Sequence, residues 1–132
     1  MRRLSVIVLT AIALLSVACG EKKQHAGHRL VSPAEFAKEM SEPGTVTLNV
    51  LGIDAPRIPG TDLEIALERL TSGHSMPPNS AALAVYCWSG RTSAAAIPVL
   101  EKLGYTNIVE LDGGMQAWQA DGRKLIQTAS SG

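Results

Sequence analysis

Cysteine is scarce in this chain, and neither sign of charge is in excess. Two cysteines among 132 residues are too few for a disulfide scaffold or a zinc-finger framework. Twelve basic side chains balance twelve acidic ones, so no cationic surplus exists to neutralise phosphates and no nucleic-acid partner is expected. The length leaves little room for a two-domain enzyme, and no internal repeat is visible. What is present is apolar. A content of 45% hydrophobic against 18% charged residues marks a globular chain rather than a disordered one.

The N-terminus stands apart from any fold. Arg2 and Arg3 form a positive start, followed at residues 4–18 by fifteen residues without a charge. That run is short of the ~20 residues needed to span a bilayer, but it suits the core of a signal peptide. Leu15-Ser16-Val17-Ala18-Cys19 then resembles the lipobox of a bacterial lipoprotein, with Ser16 where a larger aliphatic residue is usual. The expectation is a signal peptide at 1–18, lipidation of Cys19, and a membrane-anchored protein of the bacterial cell envelope facing the periplasm or exterior. Ordinary secretory cleavage at the same bond would instead leave Cys19 as a free thiol. Loss of the two arginines leaves ten basic against twelve acidic groups, a net charge near −2 with no electrostatic claim on lipid head groups. Residues 20–30 read as a polar tether, so 19–30 is taken as anchor and spacer. His25 and His28 within it lack the third ligand a metal site would need and read as solvated.

A domain is expected at 31–126, with a short tail at 127–132. Ser32, Pro33 and Glu35 form a capping box with proline at the first helical position, and Val31 and Phe36 are placed for a hydrophobic staple. The helix stops before Pro43-Gly44. Residues 45–50 alternate and read as a strand, followed by a loop over 51–60. Thr61 and Glu64 repeat the capping-box pattern, and Leu63, Ala66, Leu67 and Leu70 fall at helical spacing, so a second helix is expected there. Residues 73–80 are a connector and 81–86 a buried parallel strand. Residues 92–103 read as a helix kinked or delayed by Pro98, with Gly104 just past its end. A third strand at 108–111, a turn at 112–114 and a short helix at 115–120 complete a small α/β domain, its mainly parallel sheet flanked by helices.

One position in this layout carries chemistry. Cys87 ends the central strand, and Trp88-Ser89-Gly90-Arg91-Thr92-Ser93 leads into a helix. The C-terminal edge of a parallel sheet is where α/β domains place ligands. Backbone N–H groups converging at the next helix N-terminus favour an anion, Gly90 permits a tight turn, and Arg91 adds positive charge. A thiolate in such a cradle is a nucleophile prepared for an anionic substrate. The bland alternative is a small buried hydrophobe, the common fate of free cysteine.

The stretch A-V-Y-C-W-S-G-R-T-S-A-A-A, followed by L-G-Y-T-N-I-V-E-L-D-G-G-M-Q-A-W, resembles the single-domain rhodanese-like sulfurtransferases, in an exported lipoprotein-type form. The resemblance covers residues 81–122 and extends through S-P-A-E-F and T-V-T-L-N-V back to Val31. It implies that Cys87 is the sulfur-carrying nucleophile and that residues 88–92 form the loop around its persulfide, with Ser93 counted among the residues that bind it. It also implies structural roles for Gly113, Gly114 and Trp118. The chain departs from the family pattern in three places. In the loop, the second position, often Arg in the family, is Trp88, so that of two cations only Arg91 is kept. Where the family commonly has Asp-x-Arg after the first strand, the sequence reads Asn49-Val50-Leu51; where it has Gly-His-Ile-Pro-Gly-Ala, it reads Pro56-Arg57-Ile58-Pro59-Gly60-Thr61. These departures bear on the substrate more than on chemistry at the cysteine.

Other cysteine chemistries fit less well. Phosphatases place an arginine six residues after the cysteine to clamp a tetrahedral anion, whereas this chain has Ser93 there. A Cys–His hydrolase is disfavoured because His74, in a proline-rich connector, is the only histidine inside the expected domain. The expected activity is transfer of sulfane sulfur from a small anionic donor such as thiosulfate to cyanide or a thiol, through a Cys87 persulfide. A persulfide carrier or thiol-redox partner with little turnover is the alternative. No metal or organic cofactor is called for, and the membrane is met through the lipid on Cys19.

Overall fold

Ala82–Tyr86 is apolar at every position, so both of its faces must be covered, and this strand forms the centre of a five-stranded sheet. The structure, a computed structural model, describes residues 27–72 and 76–128. The strands are β1 (Gly27–Val31), β2 (Thr45–Asn49), β3 (Leu63–Glu64), β4 (Ala82–Tyr86) and β5 (Asn107–Leu111). They lie in the order β1-β5-β4-β2-β3, and every pairing is parallel. The helices are α1 (Pro33–Met40), α2 (Arg91–Lys102) and α3 (Gly114–Ala120).

Strand alternation divides the core into two layers. Leu83 and Val85 of β4 join Leu48, Ile108 and the α2 residues Ala96, Ile97 and Leu100 on one face. Ala84 and Tyr86 join Phe36 of α1 and Met115 and Trp118 of α3 on the other. Phe36 meets the rings of Tyr86 and Trp118 edge-on, at centroid distances of 6.1 and 6.3 Å.

The first helix forms as its local signals dictate. The Ser32 hydroxyl accepts the Glu35 N–H at 3.3 Å, Pro33 opens the helix, and Val31 and Phe36 are buried in one cluster. Only half of the capping box closes, because the Glu35 carboxylate accepts from Arg29 Nη1 at 3.0 Å instead of turning back to the cap. The following loop is held by Asn49, whose Oδ1 accepts the Leu51 N–H at 3.0 Å while its Nδ2 donates to the Pro56 carbonyl at 3.1 Å. A neutral side chain therefore organises this turn. Pro98 sits inside α2 with its ring exposed, and the helix starts at Arg91, one residue earlier than expected.

Two expectations are corrected. The second capping pattern does not start an α-helix: Leu63–Glu64 is β3, and only a 3₁₀ turn at Leu67–Arg69 follows. Its capping groups are occupied elsewhere. The Asp62 carboxylate accepts the Thr47 N–H at 2.8 Å, and the Thr61 hydroxyl donates to the Ile58 carbonyl and meets the Tyr86 phenol at 2.6 Å. The N–H groups of Asp62, Ile65 and Leu67 go to carbonyls of Thr47, Asn49 and Val50, so strand addition to β2 overrides helical spacing. Burial of Tyr86 in this cluster pushes its phenol pKa up.

The second correction concerns the spacer. Residues 27–30, expected in the tether, belong to β1 and pair in register with β5 from Gly27↔Asn107 to Val31↔Leu111. Arg29 ties β1 to α1 through Glu35 and Glu39. The expected signal peptide, Cys19, His25 and His74 lie outside the described residues.

A negative charge at Val85 would be buried in an apolar cluster and beside the carboxylate of Glu110, which repels it. Val85→Asp is expected to cost at least about 4 kcal/mol, whereas Lys124→Ala at the surface stays within about 0.5 kcal/mol. Denaturant midpoints of the two variants check this; a Val85→Asp midpoint equal to that of the parent would contradict the central placement of β4.

Candidate active site after the central strand

The chain leaves β4 at Tyr86, and the next residue, Cys87, is 1% exposed. Gly90 adopts a left-handed conformation, with φ +96°, and caps α2. That conformation, costly for any residue with a Cβ, turns the Gly90 N–H back onto Cys87 Sγ at 3.0 Å. The sulfur thus accepts a backbone donor at the start of a twelve-residue helix, whose dipole presents its positive end there.

The loop is held from its other side. The turn before α3 has Gly113 at φ +73° and Gly114 at φ +60°. The Met115 N–H donates to the Cys87 carbonyl at 2.9 Å, and the Gln116 N–H donates to the Trp88 carbonyl at 3.0 Å. Two first-turn donors of α3, which have no partner within their own helix, are satisfied by the loop. A Cβ on Gly114 would lie 2.6 Å from both of those carbonyl oxygens. The double glycine, expected to be structural, is what lets α3 approach the loop and bind its carbonyls.

Comparison with known proteins agrees with this geometry. The family model of the rhodanese-like domain matches residues 29–121, from within β1 to just past α3. The chain belongs to the rhodanese-like domain family. A rhodanese-related protein from Thermoplasma volcanium is 25% identical, aligning over 76% of this chain and 99% of that one with a TM-score of 0.62. A rhodanese homologue from Thermus thermophilus is 29% identical over 67% of this chain and 99% of that one, with a TM-score of 0.55. A rhodanese-like domain protein from Staphylococcus aureus shares the fold at 20% identity, over 76% of this chain and 99% of that one, with a TM-score of 0.57. No curated protein sequence matches.

Within this rhodanese-like domain the expected loop residues separate into two groups. Trp88, Ser89 and Arg91 are exposed, Trp88 to 41%, and Thr92 is half-buried. Arg91 is the first residue of α2; among the described residues, the hydrogen-bond partners of Sγ are Gly90 and Ser93. Ser93 is fully buried, with Oγ 3.4 Å from Cys87 Sγ.

Behind Ser93 the rhodanese-like domain holds Glu110, which sequence reasoning passed over, and His28, which it read as a solvated spacer residue. The Ser93 hydroxyl donates to Glu110 Oε1 at 2.7 Å, and Glu110 Oε2 is 2.7 Å from His28 Nε2. Glu110 is only 3% exposed, while the His28 side chain is 30% exposed. His28 is therefore neither a spacer residue nor solvated on all sides, and His74 is not the sole histidine of the domain. The legible signal was Glu110 itself, a carboxylate in the otherwise buried apolar run Ile108–Leu111.

The close approach of α3 has a measurable cost if blocked. Gly122 has a similar φ of +78°, and a Cβ there would meet nothing within 4 Å, so Gly122→Ala isolates the backbone cost, about 1 kcal/mol. Gly114→Ala adds a steric clash and is expected to lose at least about 2 kcal/mol more in denaturant titrations. Equal losses for the two variants would contradict the described contact.

Proposed function

We propose that this rhodanese-like domain is a sulfurtransferase and that Cys87 carries the transferred sulfur. The observation that supports this best is the Gly90 N–H on Cys87 Sγ at 3.0 Å, a donor placed to stabilise negative charge on sulfur. The Cys87 thiolate attacks the outer sulfur of thiosulfate. A new S–S bond forms, the S–S bond of thiosulfate breaks, and sulfite leaves with its electron pair. Cyanide or a thiolate then attacks the outer sulfur of the Cys87 persulfide, taking that sulfur and returning the thiolate. Both steps are displacements at sulfur, so they call on no metal or organic cofactor, and the covalent intermediate implies ping-pong kinetics. Arg91, the exposed first residue of α2, attracts an anionic donor.

Intact-mass spectrometry after thiosulfate treatment tests the covalent step. The parent protein should gain one sulfur atom, and Cys87→Ser should gain none while remaining folded. Turnover with cyanide separates an enzyme from a persulfide carrier. Arg91→Ala should lower kcat/KM for thiosulfate by roughly ten- to a hundredfold, with a neutral sulfane donor affected less. Absence of a persulfide on the parent would refute the proposal.

We further propose that the protein is exported and anchored to the membrane by a lipid on Cys19. The support is the N-terminal sequence: a positive start, fifteen uncharged residues, and a cysteine directly after small residues. Cys19→Ser should move the protein from the membrane pellet to the soluble exported fraction. A parent protein already soluble, or one that never incorporates labelled palmitate, would contradict the anchor.

A further inference from the structure

Glu110 has no part in the two displacements, yet it places a carboxylate on the same sheet face as Ile108 and Val85. Burying such a group is costly unless its oxygens are bonded, and both are: Oε1 to Ser93 and Oε2 to His28. Ser93 has one hydrogen and two lone pairs. Its hydrogen is directed to the carboxylate at 2.7 Å, the closer of its two acceptors, since the Gly90 carbonyl lies at 3.2 Å. A lone pair of the same oxygen then faces Cys87 Sγ, which is placed to donate at 3.4 Å. The chain Cys87–Ser93–Glu110–His28 runs from a buried sulfur to a partly exposed ring, with every link at hydrogen-bond distance.

We propose that Glu110 receives the proton of the Cys87 thiol through the Ser93 hydroxyl, and that His28 holds the carboxylate in position to do so. The use of the thiolate rests on the sulfurtransferase reading; its formation does not. In the step, the Cys87 S–H bond breaks and its electron pair stays on sulfur. Ser93 Oγ takes that proton as its own hydrogen passes to Glu110 Oε1. One buried negative charge is exchanged between carboxylate and sulfur, and two are never present together, which like-charge repulsion in a dry site would oppose. Ser93 touches the reacting sulfur. Glu110 is the proton acceptor, and His28 is a positioning residue.

The sign of one substitution separates proton transfer from simple electrostatics. In the full-length protein, the rate of Cys87 alkylation by iodoacetamide at neutral pH is followed by peptide mass spectrometry, which resolves Cys87 from Cys19. Glu110→Gln and Ser93→Ala are each expected to slow alkylation about a hundredfold, the scale of lost proton-transfer assistance. His28→Ala should slow it less and recover on addition of imidazole, which a purely structural loss would not do. A carboxylate that only repels the thiolate would give the opposite result, with faster alkylation of Glu110→Gln. Unchanged or faster alkylation in Glu110→Gln or Ser93→Ala overturns the proposal. If Glu110→Gln does not fold, Ser93→Ala and imidazole rescue of His28→Ala decide it, and absence of rescue overturns it. Persulfide formation by the parent is measured in parallel, so failure of the sulfurtransferase reading shows separately: a parent that is alkylated as described but never accepts sulfur.

Discussion

The site depends on the approach of α3 to the loop after β4. The Met115 and Gln116 N–H groups bind the Cys87 and Trp88 carbonyls, and Gly114 permits it because a Cβ would lie 2.6 Å from those oxygens. Each contact does two things at once. It satisfies a helix-start donor that has no partner of its own, and it fixes the peptide oxygen of a loop residue in a hydrogen bond. With the oxygens bound, the turn closes through Gly90 in a conformation that aims its N–H inward. The electrostatics at Cys87 are therefore produced by backbone geometry more than by side-chain charge, consistent with the exposed position of Arg91.

The sheet order brings the remaining groups to the same sulfur. Because β5 lies between β1 and β4, Glu110 is beside Val85 on one side and Leu30 on the other. His28 reaches it along β1, and Ser93 reaches it from the first turn of α2. Three separate stretches of sequence, β1, β5 and the loop from Cys87 into α2, thus meet in one hydrogen-bonded chain. A buried carboxylate is acceptable in that setting because both of its oxygens are engaged. In the proposed relay that carboxylate is where the proton of the buried Cys87 thiol goes.

What the sequence made legible was contiguous. Cys87, the glycine turn at Gly90 and the following helix lie within a few residues, and periodicity was enough to place them at the C-terminal edge of β4. The first helix was equally clear, since Ser32, Pro33, Val31 and Phe36 act locally. The misreadings came from competition and distance. Thr61 and Asp62 carry helix-capping groups, but Tyr86 and Thr47 claim them, and the segment joins the sheet as β3. Gly27–Val31 reads Gly-His-Arg-Leu-Val, which shows no polar–apolar alternation, and it has no turn linking it to its partner, which lies at Asn107–Leu111. Losing that strand to the spacer also lost His28, and with it the reason for Glu110.

The central claim is that charge on the Cys87 sulfur is held by the Gly90 amide. The most direct measurement is the Gly90 amide resonance in isotope-labelled protein, before and after addition of thiosulfate. A large shift at Gly90 is predicted when sulfur is loaded, with smaller shifts at Met115 and Gln116, and no shift at any of the three in Cys87→Ser. A Gly90 resonance that stays in place while mass spectrometry shows sulfur on Cys87 would contradict it.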